Sequence, residues 1–213
     1  MISNYLELIS SFLANPPRML IEEIKSKSKD LGITLPKPLV EFYEFFGSND
    51  EVLSSYYEFI KIEDTSFYCN ALLFCYGHQR ESLIGISLDD MNNNDDPPVS
   101  KTFKGYDKWY FESNSASNFL VNMACWQVVN VLPSVASSLI EEKIFREKIN
   151  TYLNPISKDK SIFLGYDLLS YFSQEKNILA CYLRESEEFY VASTDDSFLD
   201  AFEKETGFEL DWL

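Results

Sequence analysis

The side chains able to carry chemistry in this chain are mostly carboxylates: 34 Asp and Glu stand against 18 Lys and Arg and one His. The acids gather in two places. Asp89, Asp90, Asp95 and Asp96 lie in DDMNNNDDPP, and Glu185, Glu187 and Glu188 precede Asp195 and Asp196. Two carboxylates can share acid and base roles across a scissile bond, but in a chain this acidic their adjacency carries little information. Asp90-x-Asn92-x-Asn94 imitates a calcium loop, yet Asp95 stands where glycine is needed and Lys101 where glutamate is needed. A histidine-based triad would have to use His78, which follows Tyr76-Gly77 and reads as a turn residue. The four cysteines form no Cys-x-x-Cys pair, and the seven glycines are scattered singly, so neither zinc spacing nor a phosphate-cradling loop is present. No catalytic, cofactor or metal residues are therefore assigned. The two acidic groups are read instead as partner-binding candidates, with Tyr56, Tyr57, Tyr106 and Trp109 as aromatic anchors for the same purpose.

The formal charge of −16 disfavours nucleic acid and anionic membrane as partners, because each phosphate contact needs Lys or Arg. It favours a basic protein, whose approach an acidic surface accelerates, or simply a highly soluble, solvated surface. Cys69, Cys75, Cys125 and Cys181 sit among apolar residues, which predicts buried free thiols in a reducing cytosol. The start, MISNYLELISSF, has no basic leader pattern, and no segment approaches the roughly 18 apolar residues of a membrane span. The expected location is cytoplasmic.

The elements that must position these residues can be read in order. Tyr5, Leu6, Ile9, Phe12 and Leu13 predict an amphipathic helix over 4–14, which Asn15-Pro16-Pro17 ends. A second helix is expected from about Pro17 to Leu31, with Glu22 and Glu23 early and Lys25, Lys27 and Lys29 late, the order that suits a helix dipole. Gly32 offers a positive-φ stop, Pro36 suits the first turn of a third helix, and Gly47 ends it. Short strands are expected at Tyr56–Ile62, Phe67–Tyr76, Ser82–Leu88, Val99–Thr102 and Lys108–Phe111, with Asp89–Pro98 as an acidic loop. In Ser82–Leu88, Ile84, Ile86 and Leu88 would share one face and Gly85 and Ser87 the other. Ser115 caps a helix through Gln127. Beyond Pro133, the apolar spacing of Val135, Leu139, Ile140, Ile144 and Ile149 predicts a helix over Ser134–Leu153. Strands follow at Ile162–Leu164, Ile178–Leu183 and Phe189–Ala192, the last two joined by a turn at Glu185–Glu188. A helix over Asp196–Thr206 stops at Gly207, and FELDWL is expected to pack. Runs of strands without alternating helices predict an α+β fold, with helices on a largely antiparallel sheet.

The segment LGITLPKPLVEFYEFFG, Leu31–Gly47, resembles the signature of the SUKH superfamily: a helix ending at Leu-Gly, a Leu-Pro pair, then an aromatic-rich helix ending at glycine. Leu72-Leu73-Phe74 with Ile84–Asp89 resembles the family's central hairpin. Pro97-Pro98-Val99 resembles its strand entry, and Ser115-Ala-Ser-Asn-Phe119-Leu120 the start of its next helix. The resemblance covers about residues 17–127. The chain departs from the pattern at Phe46-Gly47-Ser48, where an Asn-Gly-Gly ending is usual, and in the length of the C-terminal portion, 133–213. The expectation is one SUKH-like unit over 1–213, with that portion packed on it or continuing it.

The resemblance implies a non-enzymatic α+β domain, and many bacterial members are immunity proteins that bind and block a toxin domain in the cytosol. Many of those toxins are nucleases, whose basic clefts an acidic surface would match. The leading expectation is an immunity protein without cofactor or metal that neutralises a cognate, basic toxin domain by direct contact. Two rivals are an interaction module of the same fold with an unrelated partner, and a hydrolase using Asp and Glu alone. The hydrolase requires two carboxyls from separate elements to converge in one concavity.

Overall fold

The computed structural model describes residues 2–156, 161–163 and 166–213, with the backbone alone at 161–163 and 166. Leu164, the expected end of one strand, lies outside the described residues. The fold is α+β, with two antiparallel sheets rather than the single one expected.

Three helices open the chain: α1 (Ser3–Ser10), α2 (Ile21–Asp30) and α3 (Lys37–Phe46). The first two are shorter than their apolar spacing predicts. The second starts four residues after Pro17. Gly32 takes φ +71°, as the stop requires. Pro36 is the cap residue of α3, and Pro38 occupies its first turn. The buried Glu41 carboxylate on α3 accepts hydrogen bonds from the amides of Ile2 (2.7 Å) and Ser3 (3.0 Å) at the entry to α1. That carboxylate satisfies two donors a helix start otherwise leaves open.

After a short helix α4 (Asp50–Ser54), the first sheet is built from β1 (Glu58–Phe59), β2 (Ser66–Tyr68), β3 (Ala71–Tyr76), β4 (Ser82–Ser87), β5 (Val99–Phe103) and β6 (Tyr110–Ser113). Its order is β1-β3-β4-β5-β6, with β2 also on β3. The expected strand Phe67–Tyr76 is in fact a hairpin. Cys69 and Asn70 take φ of +45° and +62° at its turn, the left-handed pair that a two-residue hairpin loop demands. Cys69 is exposed there, against the expectation of burial, whereas Cys75, Cys125 and Cys181 are buried and all four are free. Ile84 and Ile86 join the main core, and Gly85 faces the other way, as the alternation predicts. Helix α5 (Leu88–Asn93) follows β4 where an acidic loop was expected.

Helix α6 (Ala116–Val129) is the centre of the molecule. Ser115 caps it, its hydroxyl accepting from Asn118 N at 3.1 Å. Every α6 residue except Ser117 is buried, which is the signature of a helix enclosed on all sides. Its residues share one continuous core with α1, α3, the inner face of the first sheet and one face of the second, from Ile2 to Ala192. Gln127 ties the segment before β1 to it. Its side-chain oxygen accepts from the amides of Tyr56 and Tyr57 at 3.2 and 2.9 Å, and its nitrogen donates to the carbonyls of Val52 and Tyr57 at 2.6 and 2.7 Å.

The second sheet contains β7 (Ser134–Leu139), β8 (Asn154–Pro155), β9 (Ser161–Phe163), β10 (Tyr166–Ser173), β11 (Ile178–Leu183), β12 (Glu188–Ser193) and β13 (Asp211–Trp212). Their order is β13-β7-β12-β11-β10-β8, with β9 on β10. Helix α7 (Glu142–Tyr152) interrupts the run, and α8 (Asp196–Thr206) ends at Gly207 with φ +65°. Both helices join a second core on the sheet's far face, where the Phe145 and Tyr182 rings stack at 4.0 Å. The helix expected over Ser134–Leu153 is therefore half strand. Ser134, Ala136 and Ser138 are buried while Leu139 is 78 % exposed, because six residues of β7 pair with β12. The terminal FELDWL packs as expected: Phe208 and Leu210 are buried, and Asp211–Trp212 pair with β7.

Candidate protein-binding surface

The outer face of the first sheet carries a small apolar cluster, Ile60, Leu73 and Leu83, under Tyr68, Tyr76 and Trp109. Among the described residues no helical residue joins it. The β5–β6 connection folds over it instead. Thr102 Oγ1 donates to Lys108 O at 2.8 Å, Tyr68 Oη donates to Tyr106 O at 3.1 Å, and Trp109 Nε1 donates to Cys69 O at 3.3 Å. Gly85 is needed beneath this cover, since a Cβ there would lie 2.7 Å from Leu72 O and 3.3 Å from the Trp109 ring.

Around that cover, large aromatic side chains stand in solvent. Tyr106 is 62 % exposed, Phe111 55 %, Tyr110 44 % and Phe103 43 %. Phe103 and Tyr106 meet edge to face at 6.5 Å. Lys104 lies over the Tyr76 ring and Lys108 over the Tyr110 ring, at 5.8 and 5.1 Å. By strand register Phe111 lies on the outer face with Ser100 and Gly85, whereas Phe103 and Tyr110, opposite Ser82 and Lys101, lie on the face of Ile84. The outer-face surface is thus Tyr106, Trp109 and Phe111, and exposed aromatics gathered in one region mark an interaction surface where isolated ones need no explanation.

The acidic helix α5 adjoins this aromatic region through the β2–β3 turn. Asn70 O accepts from Leu88 N at 3.0 Å, and Asn70 Nδ2 donates to Asp89 Oδ2 at 3.5 Å. The preceding residue, Cys69, holds the Trp109 indole. Helix α5 forms because Ser87 Oγ accepts from Asp89 N at 3.2 Å, while Asp89 and Asp90 in the first turn suit the helix dipole. Asp95 follows the helix. Asp96 differs from its neighbours: its carboxylate accepts from Ser117 N at 2.8 Å in the first turn of α6. Asp89 thus adjoins the aromatic region through Asn70, Asp95 stands exposed past the end of α5, and Asp96 fixes the central helix.

The second acidic group is not one cluster. Glu185, Glu187 and Glu188 sit at the β11–β12 turn, whereas Asp195 and Asp196 lie past the other end of β12. Six residues of strand separate them, roughly 20 Å. Most also have structural partners. Glu185 accepts from Asp167 N at 2.6 Å, Glu188 from Ser186 Oγ at 3.1 Å, Asp195 from Ser197 N at 2.9 Å as the cap of α8, and Asp196 from Ser134 Oγ. Its two hydrogen bonds from Ser197 hold the Asp195 carboxyl below the usual range.

Of the proposed anchors, Tyr106 and Trp109 belong to the aromatic surface, Tyr57 is core, and Tyr56 is half-buried between His78 and Trp126 at ring distances of 4.6 and 5.5 Å. His78 is a turn residue, as expected. Among the described residues no group of three or more His, Cys, Asp or Glu side chains gathers as a metal site would, and no helix is long and apolar enough to cross a membrane. Phe103, Tyr110 and Phe111 escaped the sequence reading. The available signal was the density of aromatics and lysines in KTFKGYDKWYF, Lys101–Phe111. Comparison of the chain with known families, characterised proteins and solved structures finds no match.

Proposed function

We propose that this protein is an immunity protein: it neutralises a cognate toxin domain by binding it stoichiometrically, and performs no chemistry on it. The observation that carries the reading is the continuity of the exposed aromatic cover of the first sheet with the acids of α5. Aromatic side chains supply the anchors of a protein interface, and a charged rim steers the encounter. A net charge of −16 selects a basic partner, and a nuclease domain has a basic cleft because its substrate is a polyanion. The likeness of residues 17–127 to the SUKH pattern supplies the toxin as the specific partner.

The hydrolase alternative has less support, because Asp96, Glu185, Glu188, Asp195 and Asp196 already accept hydrogen bonds that hold the fold. The test is co-expression with the C-terminal domain encoded by the neighbouring gene. Growth rescue with a 1:1 complex is expected. Growth arrest with no complex would refute the immunity reading.

A further inference from the structure

On the flank of α5 away from the aromatic cover lies a second feature. A groove of about 1280 Å³ opens between α5 and the α2–α3 joint. Leu35, Val40, Leu88 and Met91 give it apolar lining, and its α2 wall carries Lys25 and Lys29, with Lys37 at the start of α3. The void exceeds the roughly 300–1,000 Å³ of small-ligand sites. Three turns of a helix about 10 Å across fill a volume on the order of 1,300 Å³.

The charges of this groove run against those of the molecule. Lys25 and Lys29 are one helical turn apart on an exposed wall, and neither has an ion-pair partner among the described residues. Like charges at that spacing cost a helix a few tenths of a kcal/mol, which offsets part of what cations late in α2 gain from the helix dipole. Neighbouring Lys27, by contrast, is held by Glu23 and Glu63 at 3.3 and 2.9 Å. Three acids also line the groove. Glu41 is buried and spent on the amides of Ile2 and Ser3, with Lys37 at 3.9 Å, which leaves Glu44 on α3 and Asp95 after α5. The α2 wall is therefore positive in a chain that is strongly negative elsewhere.

We infer that this groove receives an amphipathic helix of a protein partner, its apolar face against Leu35, Val40, Leu88 and Met91 and its carboxylates against Lys25 and Lys29. Helix-in-groove recognition uses such a floor, with anchors at i, i+3, i+4 and i+7. The inference goes beyond the toxin reading: any partner that carries such a helix qualifies, and the residues involved differ from those of the aromatic surface. The lysines reject a helix edged with cations, a repulsive element that adds specificity.

The test uses two fluorescein-labelled amphipathic helices with the same leucine face, one edged with glutamate and one with lysine. Anisotropy titrations of the full chain are run at about 0.1 M ionic strength, where contacts beyond about 10 Å are screened. Net charge alone makes this protein prefer the lysine peptide. The inference predicts that the glutamate peptide binds more tightly, and that Lys25→Glu/Lys29→Glu weakens it at least tenfold with an unchanged melting temperature. Tighter binding of the lysine peptide, no binding of the glutamate peptide, or equal glutamate-peptide affinity for the double variant would each overturn it. None of these results bears on toxin rescue, so the two readings fail separately.

Discussion

The two sheets are built alike and covered differently. Both are antiparallel, and both bury one face against the core that surrounds α6. The second sheet buries its other face under α7 and α8, and all six residues of β11 are buried. Among the described residues the first sheet has only the β5–β6 connection over its outer cluster, with Tyr106 and Phe111 more than half exposed. A sheet closed by helices on both sides has spent its apolar surface on stability. A sheet closed by a loop of aromatics leaves some of that surface in solvent, where the proposed partner would bind. Substitutions in the two regions should therefore separate stability from binding.

The largest effect is expected on the covered sheet. Phe145→Ala removes a fully buried ring stacked on Tyr182 and should cost about 3–5 kcal/mol, read as a lower denaturant midpoint. A loss under about 1 kcal/mol would mean that the far-face core is not tightly packed. Next, Gln127→Ala leaves two amides and two carbonyls without their side-chain partner. It should cost about 2–4 kcal/mol by the same measurement, because α6 is the member common to both sheets. On the open face, Trp109→Ala should cost less, about 1–2 kcal/mol, since the indole covers Gly85 but stays partly exposed. Tyr106→Ala should change stability by less than about 0.5 kcal/mol and yet weaken partner binding at least tenfold. A Tyr106 variant that unfolds as readily as the Phe145 variant would erase the distinction between the sheets.

The smallest effect is a pH dependence. Burial raises the Glu112 carboxyl above its usual range, opposed by Lys101 at 3.1 Å. An acid whose folded pKa is raised binds its proton more tightly in the folded state. Its contribution is most favourable below the unfolded value, near 4.5, and is lost as pH rises through the raised folded value. Glu112→Gln should flatten the stability profile across that window, measured by urea unfolding at a series of pH values. An unaltered slope would show that Glu112 does not titrate differently on folding.

The parts of this arrangement legible in the sequence were those fixed by local chemistry. The Ser115 cap, the Gly32 and Gly207 stops, and the alternation of Ile84 and Ile86 are decided within a few residues. The misread parts are decided by distant ones. Val135, Leu139 and Ile140 have helical spacing, but strand pairing with β12 buries Ser134, Ala136 and Ser138 instead. Strand β10 was missed because its buried positions include Asp167 and Ser170, which Arg184 and Asn122 satisfy from β11's end and α6. The acids of α5 were legible as candidates, but their helix and the aromatic neighbours of Asp89 depend on the β2–β3 turn folding back. Nothing local in the Glu185–Asp196 stretch revealed that a whole strand divides it.

The most direct measurement is the association rate of the purified protein with the proposed partner, the C-terminal domain encoded by the neighbouring gene, for wild type, Asp89→Asn/Asp90→Asn and Tyr106→Ala. A fast, salt-sensitive association is expected, which loss of the Asp pair slows and makes less salt-dependent, with Tyr106→Ala raising the dissociation rate at least tenfold. If both variants bind and rescue growth like wild type, the partner does not use the open sheet and α5, and the proposed interface is refuted.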